Sequence, residues 1–505
     1  MEGAVSVVEF GWRRIVIVAA VMMAALLETL DSTIVNVALP TIEGNIGAAI
    51  DDGIWIITGY IISNVVSIPL NPLLIRLVGR KTYFTICIAG FTLASVLCST
   101  SHSLSTLVAF RILQGAFGGG LIATSQGVMR DTFPPQAIGI SSALFAIALI
   151  LGPALGPLAG GYLTDNFSWP WIFFVNLVPG AIAAIVVGTM LKDPVKPERV
   201  KMDWLGVGLL GLGLACLQFV LDNGERHDWF DDAGIAVAGI VSLISLAVFS
   251  WWQWSGTKNP VVDLHVMRFR AVSVGSLIAF AFGALIFAPA IVTPLYSSSI
   301  LNYSAFDSGL LLMLRALPVV LLTPVFATLA QGGADVRYLI GTGFALSAGS
   351  LWWLHVAMTS QSPFWVLALP LFVSGVGQSM LLVPLIVGVL TSTPAELNGK
   401  ISPIITLFVQ LGGSIASAVS IAFFDRRTSF HSTVLAGASD AHHLAALGLQ
   451  PTQNAIAGLA QLINQQATTM GFADTIAATA LVAAIVVPSV LFFPRSKAMA
   501  GPIVE

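Results

Sequence analysis

The sequence predicts an all-α polytopic membrane protein, and three observations carry that prediction. Of 505 residues, 56% are hydrophobic and 9% charged, against roughly a quarter charged in soluble domains. Apolar runs of about 20 residues, the length a helix needs to cross the hydrocarbon core, recur along the whole chain. Basic residues collect in alternate loops between those runs. The mean hydropathy of +0.90 agrees. A net charge of −3 leaves no basic footprint for nucleic acid.

The length rule gives fourteen spans, at roughly 15–38, 54–75, 82–100, 105–128, 138–161, 169–191, 204–222, 233–254, 271–294, 307–329, 336–358, 363–390, 399–423 and 471–493. The first, led by GWRRIVIVAAVMM, has no small-residue cleavage site and reads as an uncleaved helix. With the N-terminus in the cytoplasm, 17 of the 22 basic residues fall inside. Three (Arg226, Arg426, Arg427) fall outside, and two (Arg111, Arg315) lie within spans. A miscounted span would shift alternate loops and erase this asymmetry. The bias therefore supports fourteen spans and places both termini in the cytoplasm. The charged stretch 192–203 closes the first six spans and 255–270 opens the last six. The expected organisation is a six-helix bundle over 1–200, a two-helix insert over 201–256 and a second six-helix bundle over 257–505. The last carries a long outward loop, 424–470. In its second half Ile456, Leu459, Leu462 and Ile463 fall at helical spacing, as in a helix resting on a partner, on the membrane or on the protein's own rim.

Glu28 and Asp31 lie in the otherwise apolar first span. A carboxylate at mid-bilayer depth costs roughly 2.5–3.5 kcal/mol on insertion scales, and such groups mark proton relays and ion pathways. At 100° per residue Glu28, Asp31, Ser32 and Asn36 share one arc, which must face the bundle interior or a wet cavity. The two carboxylates repel when both are charged, so their titration is coupled. Proton or cation coupling is one reading; a structural hydrogen-bond network is the other. In the fourth span Arg111, Gln114, Gly115 and Gly118 share a face, and an arginine there needs a partner, with Glu28 or Asp31 in reach. In the fifth, Gly152, Gly156 and Gly160 form a bare strip for close helix approach, while Pro153 and Pro157 remove backbone donors and invite a bend. Such a helix suits a gate; plain packing is the alternative. Arg315, in the tenth span, could pair across the halves with a first-span carboxylate or attract an anionic substrate group.

Other patterns carry no chemistry. Gly206, Gly208 and Gly211 spell GxGxxG inside an apolar span without the strand a dinucleotide site requires. His442 and His443 lack further metal ligands. Cys87, Cys98 and Cys216 fall in apolar spans and read as packing residues. No P-loop, HExxH or GxSxG occurs, so ATP-driven transport by this chain alone is disfavoured and no catalytic cluster suggests an enzyme.

The residues together resemble the major facilitator superfamily, and within it the fourteen-helix drug:proton antiporters of the EmrB/QacA type. LDSTIVNVALP (Leu30 to Pro40) is similar to that group's first-helix signature, and FRILQG, with Arg111, to its fourth-helix motif. The stretch from Gly152 to Gly161 fits the exporter-associated motif GxxxGPxxGG at every fixed position. The likeness continues through WIITGYIISNVVSIPL, WPWIFFVN, LDNGERHDWF and NPVVDL and covers most of the chain. The loop after the second span departs from the usual GxLaDrxGrr: Asn71 replaces the glycine and Ile75 the acidic residue, while Arg76, Gly79, Arg80 and Lys81 remain. Arg315 has no counterpart in the group's pattern.

The resemblance implies a major facilitator fold, two six-helix bundles that rock about a central site, plus two inserted helices. It implies export of toxic or drug-like compounds across the inner membrane in exchange for protons, with no cofactor. Asp31 and Glu28 would carry the proton, Arg111 would tune them, and Gly152, Gly156, Pro157, Gly160 and Gly161 would form the gate. Asn36, Gln114 and Arg315 would line the substrate site, with Arg76, Gly79 and Arg80 forming the cytoplasmic loop motif. A periplasmic adaptor protein and an outer-membrane channel are the implied partners. Rival readings are a dedicated exporter of one metabolite, siderophore or fatty acid, and a channel, which would show no uphill transport.

Overall fold

The computed structural model describes residues 9–494 apart from 49–52, 54, 135–136, 194–202, 226–228, 256, 258–259, 395–396 and 439–452. Every described element is helical. Thirteen helices are long and apolar enough to cross a membrane, and a further one, Ile138–Asn166, occupies the fifth position. In chain order they are α1 Gly11–Ile46, α2 Trp55–Val78, α3 Arg80–Ser99, α4 Leu104–Thr132, α5 Ile138–Asn166, α6 Trp171–Met190 and α7 Trp204–Asn223. They continue as α8 Ala233–Trp254, α9 Arg270–Ser299, α10 Ala305–Gln331, α11 Val336–Ala357, α12 Phe364–Thr391, α13 Asn398–Ala438 and α14 Gln453–Ser489.

The helices gather into two bodies. In the first half α1 packs along α5 and α6, and α2 along α4. A buried group running from Ile17 to Leu191 fills the centre. In the second half α9 packs along α13, α11 along α14, and α10 along α12, around a buried group running from Val266 to Phe493. The halves meet where α10 lies against α5. The inserted pair, α7 and α8, has a small core of its own with Val65 of α2, and Leu411 of α13 packs on it. It therefore leans on both halves. Asp203 pins the pair: it caps α7 at Gly206 N (2.9 Å) and accepts from Trp252 Nε1 and Gln253 Nε2 of α8 at 3.1 and 2.8 Å. Of the GxGxxG glycines, Gly206 is crowded by Asp203 and Gln253, and a Cβ on Gly211 would lie 3.3 Å from Val66. Gly208 faces open space.

Two boundaries differ from the sequence reading. α1 runs past Pro40 to Ile46, where Gly47 adopts φ 71° and its N–H bonds Glu43 O, the left-handed stop that glycine makes cheaply. The stretch 424–470, expected to be an outward loop with a helix in its second half, is helix on both sides: α13 continues to Ala438 and α14 begins at Gln453. Hydropathy falls there, but Ala, Leu and Gln keep helix propensity high at the start of α14. Phe424 also stacks on Phe472 at 4.1 Å, and Asp474 accepts from Arg427 Nε at 2.6 Å and pairs with His431 at 2.8 Å. The apolar face expected at Ile456, Leu459, Leu462 and Ile463 is narrower than its spacing suggests. Leu459 and Ile463 are half-buried and Leu462 is exposed; the side chain of Ile456 lies outside the described residues.

The end of the molecule that holds most of the basic residues is tied across helices. Arg13 donates to Met190 O at 2.6 Å, and Glu9 pairs with Arg13 and Lys192 at 3.3 Å each. Asp193 accepts from the first two amides of α3, Arg80 N and Lys81 N, both at 3.1 Å. A side chain that satisfies N-terminal amides is worth about 1 kcal/mol. Asp193→Ala is expected to lower stability by about that amount, read as a lower unfolding midpoint of the purified protein.

Candidate functional site

The site forms where α1, α2, α3, α4 and the kink in α6 converge. Asp31 is fully buried and Arg111 is 1% exposed. Arg111 Nη1 meets Asp31 Oδ2 at 2.5 Å. The other oxygen, Oδ1, accepts from Gln114 Nε2 at 2.9 Å and Asn176 Nδ2 at 3.0 Å. The guanidinium has two further bonds: Nη1 reaches Gln114 Oε1 at 2.7 Å and Nε reaches Ile56 O at 3.1 Å. It also lies 4.1 Å from the centre of the Tyr60 ring and 5.6 Å from that of Phe173. Asn176 is held by Ser95 Oγ at 3.0 Å, and that hydroxyl donates to Phe173 O at 2.9 Å. A buried pair survives only when geometry and hydrogen bonds offset desolvation, and here both carboxylate oxygens are satisfied.

Glu28 lies one turn away in different company. Its Oε1 accepts from Asn64 Nδ2 at 2.9 Å and Tyr60 OH at 3.5 Å, both neutral. Among the described residues it has no ion pair. Tyr60 thus touches Glu28 and the arginine that holds Asp31, with its ring under Arg111 and its hydroxyl on Glu28. With Asp31 matched by Arg111, the net charge of the constellation is set by whether Glu28 is protonated.

Of the residues expected to share this stripe, Ser32 bonds back to Thr29 O at 2.8 Å, and the side chain of Asn36 lies outside the described residues. Gln114 is a partner of the ion pair rather than a free lining group. Sequence reasoning missed Tyr60, Asn64, Ser95 and Asn176. Their signal was available, since an Asn in an apolar span needs a partner.

The glycine strip of α5 faces α1. A Cβ on Gly152 would strike the Thr29 side chain and approach Leu30 N to 2.7 Å. One on Gly156 would strike Thr33 Oγ1, and one on Gly160 would come within 2.8 Å of Ile34 O. The bare strip also lets Thr33 Oγ1 reach Gly152 O at 3.4 Å and Thr29 Oγ1 reach Ala148 O at 3.5 Å. Gly161 is half-buried; the Pro157 side chain lies outside the described residues. With α1 on one side and α10 on the other, α5 joins the acid-bearing helix to the second half.

At the basic end Gly79 takes φ 85° between α2 and α3, Arg76 is exposed, and Arg80 pairs with Asp131 of α4. Asn71, in place of the usual glycine, is structural. Its Nδ2 donates to Gly119 O at 2.8 Å, where α4 breaks at Gly119–Gly120, and its Oδ1 accepts from Tyr83 OH. Ile75 packs on the first-half core.

Arg315 does not meet the α1 acids. It lies in the second half, 6% exposed, with Nη2 donating to Leu285 O at 2.9 Å and Ile286 O at 3.1 Å. Pro289 follows Leu285 by four residues and has no N–H, so Leu285 O lacks its usual helical donor and Arg315 supplies one. The Gln378 oxygen, with the amide turned to face the guanidinium, accepts from Nε at 3.1 Å and Nη2 at 2.8 Å. The pair His442–His443 lies outside the described residues. Among those described, no cluster of His, Cys, Asp and Glu could hold a metal.

Comparison with known proteins agrees with this architecture. Residues 21–417 match the model of the Major Facilitator Superfamily. The chain belongs to that superfamily. This facilitator is 31% identical to the multidrug export protein EmrB of Haemophilus influenzae, over 91% of this chain and 92% of that one. It is 32% identical to EmrB of Escherichia coli K12 (83% and 82%) and 34% identical to the fatty acid resistance protein FarB of Neisseria gonorrhoeae (81% of each). Among solved structures, a peptide transporter of the POT family superposes with a TM-score of 0.62 at 13% identity, over 98% of this chain and 99% of that one, which shows the fold. The facilitator is a multi-pass membrane transporter rather than an enzyme.

Proposed function

We propose that this facilitator is a proton-coupled exporter of toxic, drug-like compounds, with Glu28 as the group that exchanges the proton and Asp31–Arg111 as the clamp that holds it in place. The observation that carries the reading is the division of partners between two acids one turn apart. Asp31 has its charge matched by Arg111 and both oxygens satisfied. Glu28 has only neutral partners, so its protonation is what changes the net charge of the site. Tyr60 transmits that change to Arg111 by touching both, and the α1–α5 seam relays it to the second half through α10. A buried ionisable group with uncompensated charge fits proton coupling better than a static brace.

The reading includes a cytoplasmic N-terminus, supported by the basic bias. It also includes a periplasmic adaptor and outer-membrane channel that carry the compound onward, supported by the resemblance to the EmrB type. FarB's name suggests fatty acids as a second substrate class.

The test uses inverted vesicles holding a proton gradient reported by a quenched dye. Cationic, neutral and weakly acidic toxic compounds are added to wild type, Glu28→Gln and Asp31→Asn. Wild type is expected to dissipate the gradient when compound is added. Glu28→Gln is expected to abolish that response while still binding the compound. Asp31→Asn is expected to lose folded protein as well, because it leaves Arg111 buried without a counter-charge. A Glu28→Gln variant that dissipates the gradient as wild type does would sink the assignment.

A further inference from the structure

Building on the exporter reading, we infer that Arg315 is an anchoring site for the carboxylate of an acidic amphiphile, at the junction of α9, α10 and α12. Three observations carry this. The guanidinium is 6% exposed and, among the described residues, faces no carboxylate: its partners are Leu285 O, Ile286 O and the Gln378 amide oxygen. Those partners use Nη2 and Nε only. Nη1 donates to nothing among the described residues, so its two hydrogens are unused there.

The charge itself is the third observation. Satisfying the carbonyl that Pro289 orphans requires only an N–H donor, and a neutral amide would serve. A buried cation costs far more than an amide, and among the described residues only neutral oxygens face it. An anion arriving with the substrate compensates it. The free group also limits what that anion is. Both forked faces of the guanidinium, Nε with Nη2 and Nη1 with Nη2, are at least half used by protein acceptors, so bidentate capture is blocked. A single oxygen of a carboxylate on Nη1 fits, with the apolar body of the molecule against the surrounding apolar helices. The buried acids of the first half and the Arg315 cation of the second thus lie in separate bundles.

The experiment measures binding of decanoate and of its neutral isostere decanamide to the full chain in phosphatidylcholine nanodiscs, which hold no anionic lipid. Wild type is expected to prefer decanoate by about tenfold or more, the worth of one hydrogen bond to a charged group. Arg315→Gln keeps a donor for Leu285 O and is expected to erase that preference, with decanamide binding within about twofold of wild type. Arg315→Lys is expected to restore part of it. No carboxylate preference in wild type overturns the inference. So does an equal loss for both probes in Arg315→Gln, which would make Arg315 a brace for the Pro289 kink. Binding needs no gradient, so a wild type that holds decanoate through Arg315 yet moves no compound in vesicles refutes the exporter and leaves the site standing.

Discussion

Arg111→Leu is expected to abolish export of every compound and to destabilise the protein by about 3–5 kcal/mol, the cost of leaving one partner of a buried pair behind. Arg111 has more at stake than one ion pair. Its loss strips Asp31 Oδ2 of its cation, removes the extra donor on Ile56 O and uncovers the Tyr60 ring. Arg111→Lys keeps the charge but not the planar fork that bonds Asp31, Gln114 and Ile56 together. It is expected to fold and export weakly. Asp31→Asn combined with Arg111→Gln removes both charges and is expected to recover most of the stability but no coupled export, since the hydrogen bonds survive while the electrostatic link to Tyr60 does not. Unfolding midpoints in detergent and gradient dissipation in vesicles read the two effects separately. A single Arg111→Leu variant within about 0.5 kcal/mol of wild type would mean that Asp31 is not held as a charge.

Gly156→Leu is expected to eliminate export by prising α5 from α1. Even Gly156→Ala puts a Cβ onto Thr33 Oγ1 and within 3.2 Å of Ile34 N. The backbone amide cannot retreat, and a β-branched Thr in a helix has few rotamers to retreat into. Overpacking of this kind costs about 1–3 kcal/mol, against the roughly 1 kcal/mol by which helix propensity favours alanine. The second term makes the test sharp. At Gly208, where nothing lies within 4 Å, alanine is expected to be neutral or stabilising. Thr33→Ala is expected to recover part of the Gly156→Ala loss, since it removes the struck hydroxyl. If Gly156→Ala behaves like Gly208→Ala in both stability and export, the strip is not a contact seam.

The span pattern and the acid–arginine pairing were legible in the sequence because both rest on a strong one-dimensional signal. Twenty apolar residues have one main use, and a charge among them demands a partner. Which acid Arg111 takes was not legible. Glu28 and Asp31 share a helix face, and only the position of α4 relative to α1 makes the choice. The role of Arg315 was hidden for a related reason. Two of its partners are main-chain carbonyls, which leave no mark in a sequence beyond Pro289 in a different span, and the third is a lone Gln378 two spans on. Asn71 looked like a lost motif glycine and is instead the side chain that stitches the α4 break to α3. The helix in the second half of 424–470 was legible, but its continuity with the last span and the continuation of α13 were not, because hydropathy measures fitness for lipid, whereas helix persistence depends on propensity and on contacts such as Phe424 with Phe472.

That continuation has a practical side. At about 1.5 Å per residue, the 41 residues of α13 amount to about 60 Å, twice the thickness of a hydrocarbon core of about 30 Å. Roughly half of this helix therefore stands clear of the bilayer, braced by α14 through Arg427, His431 and Asp474. Transporters built only of membrane helices vanish into the smooth belt of a detergent micelle, and their images carry little to align on. The protruding mast of α13 and α14 breaks that outline on one side only, so each particle image carries its own up and down without an added antibody fragment.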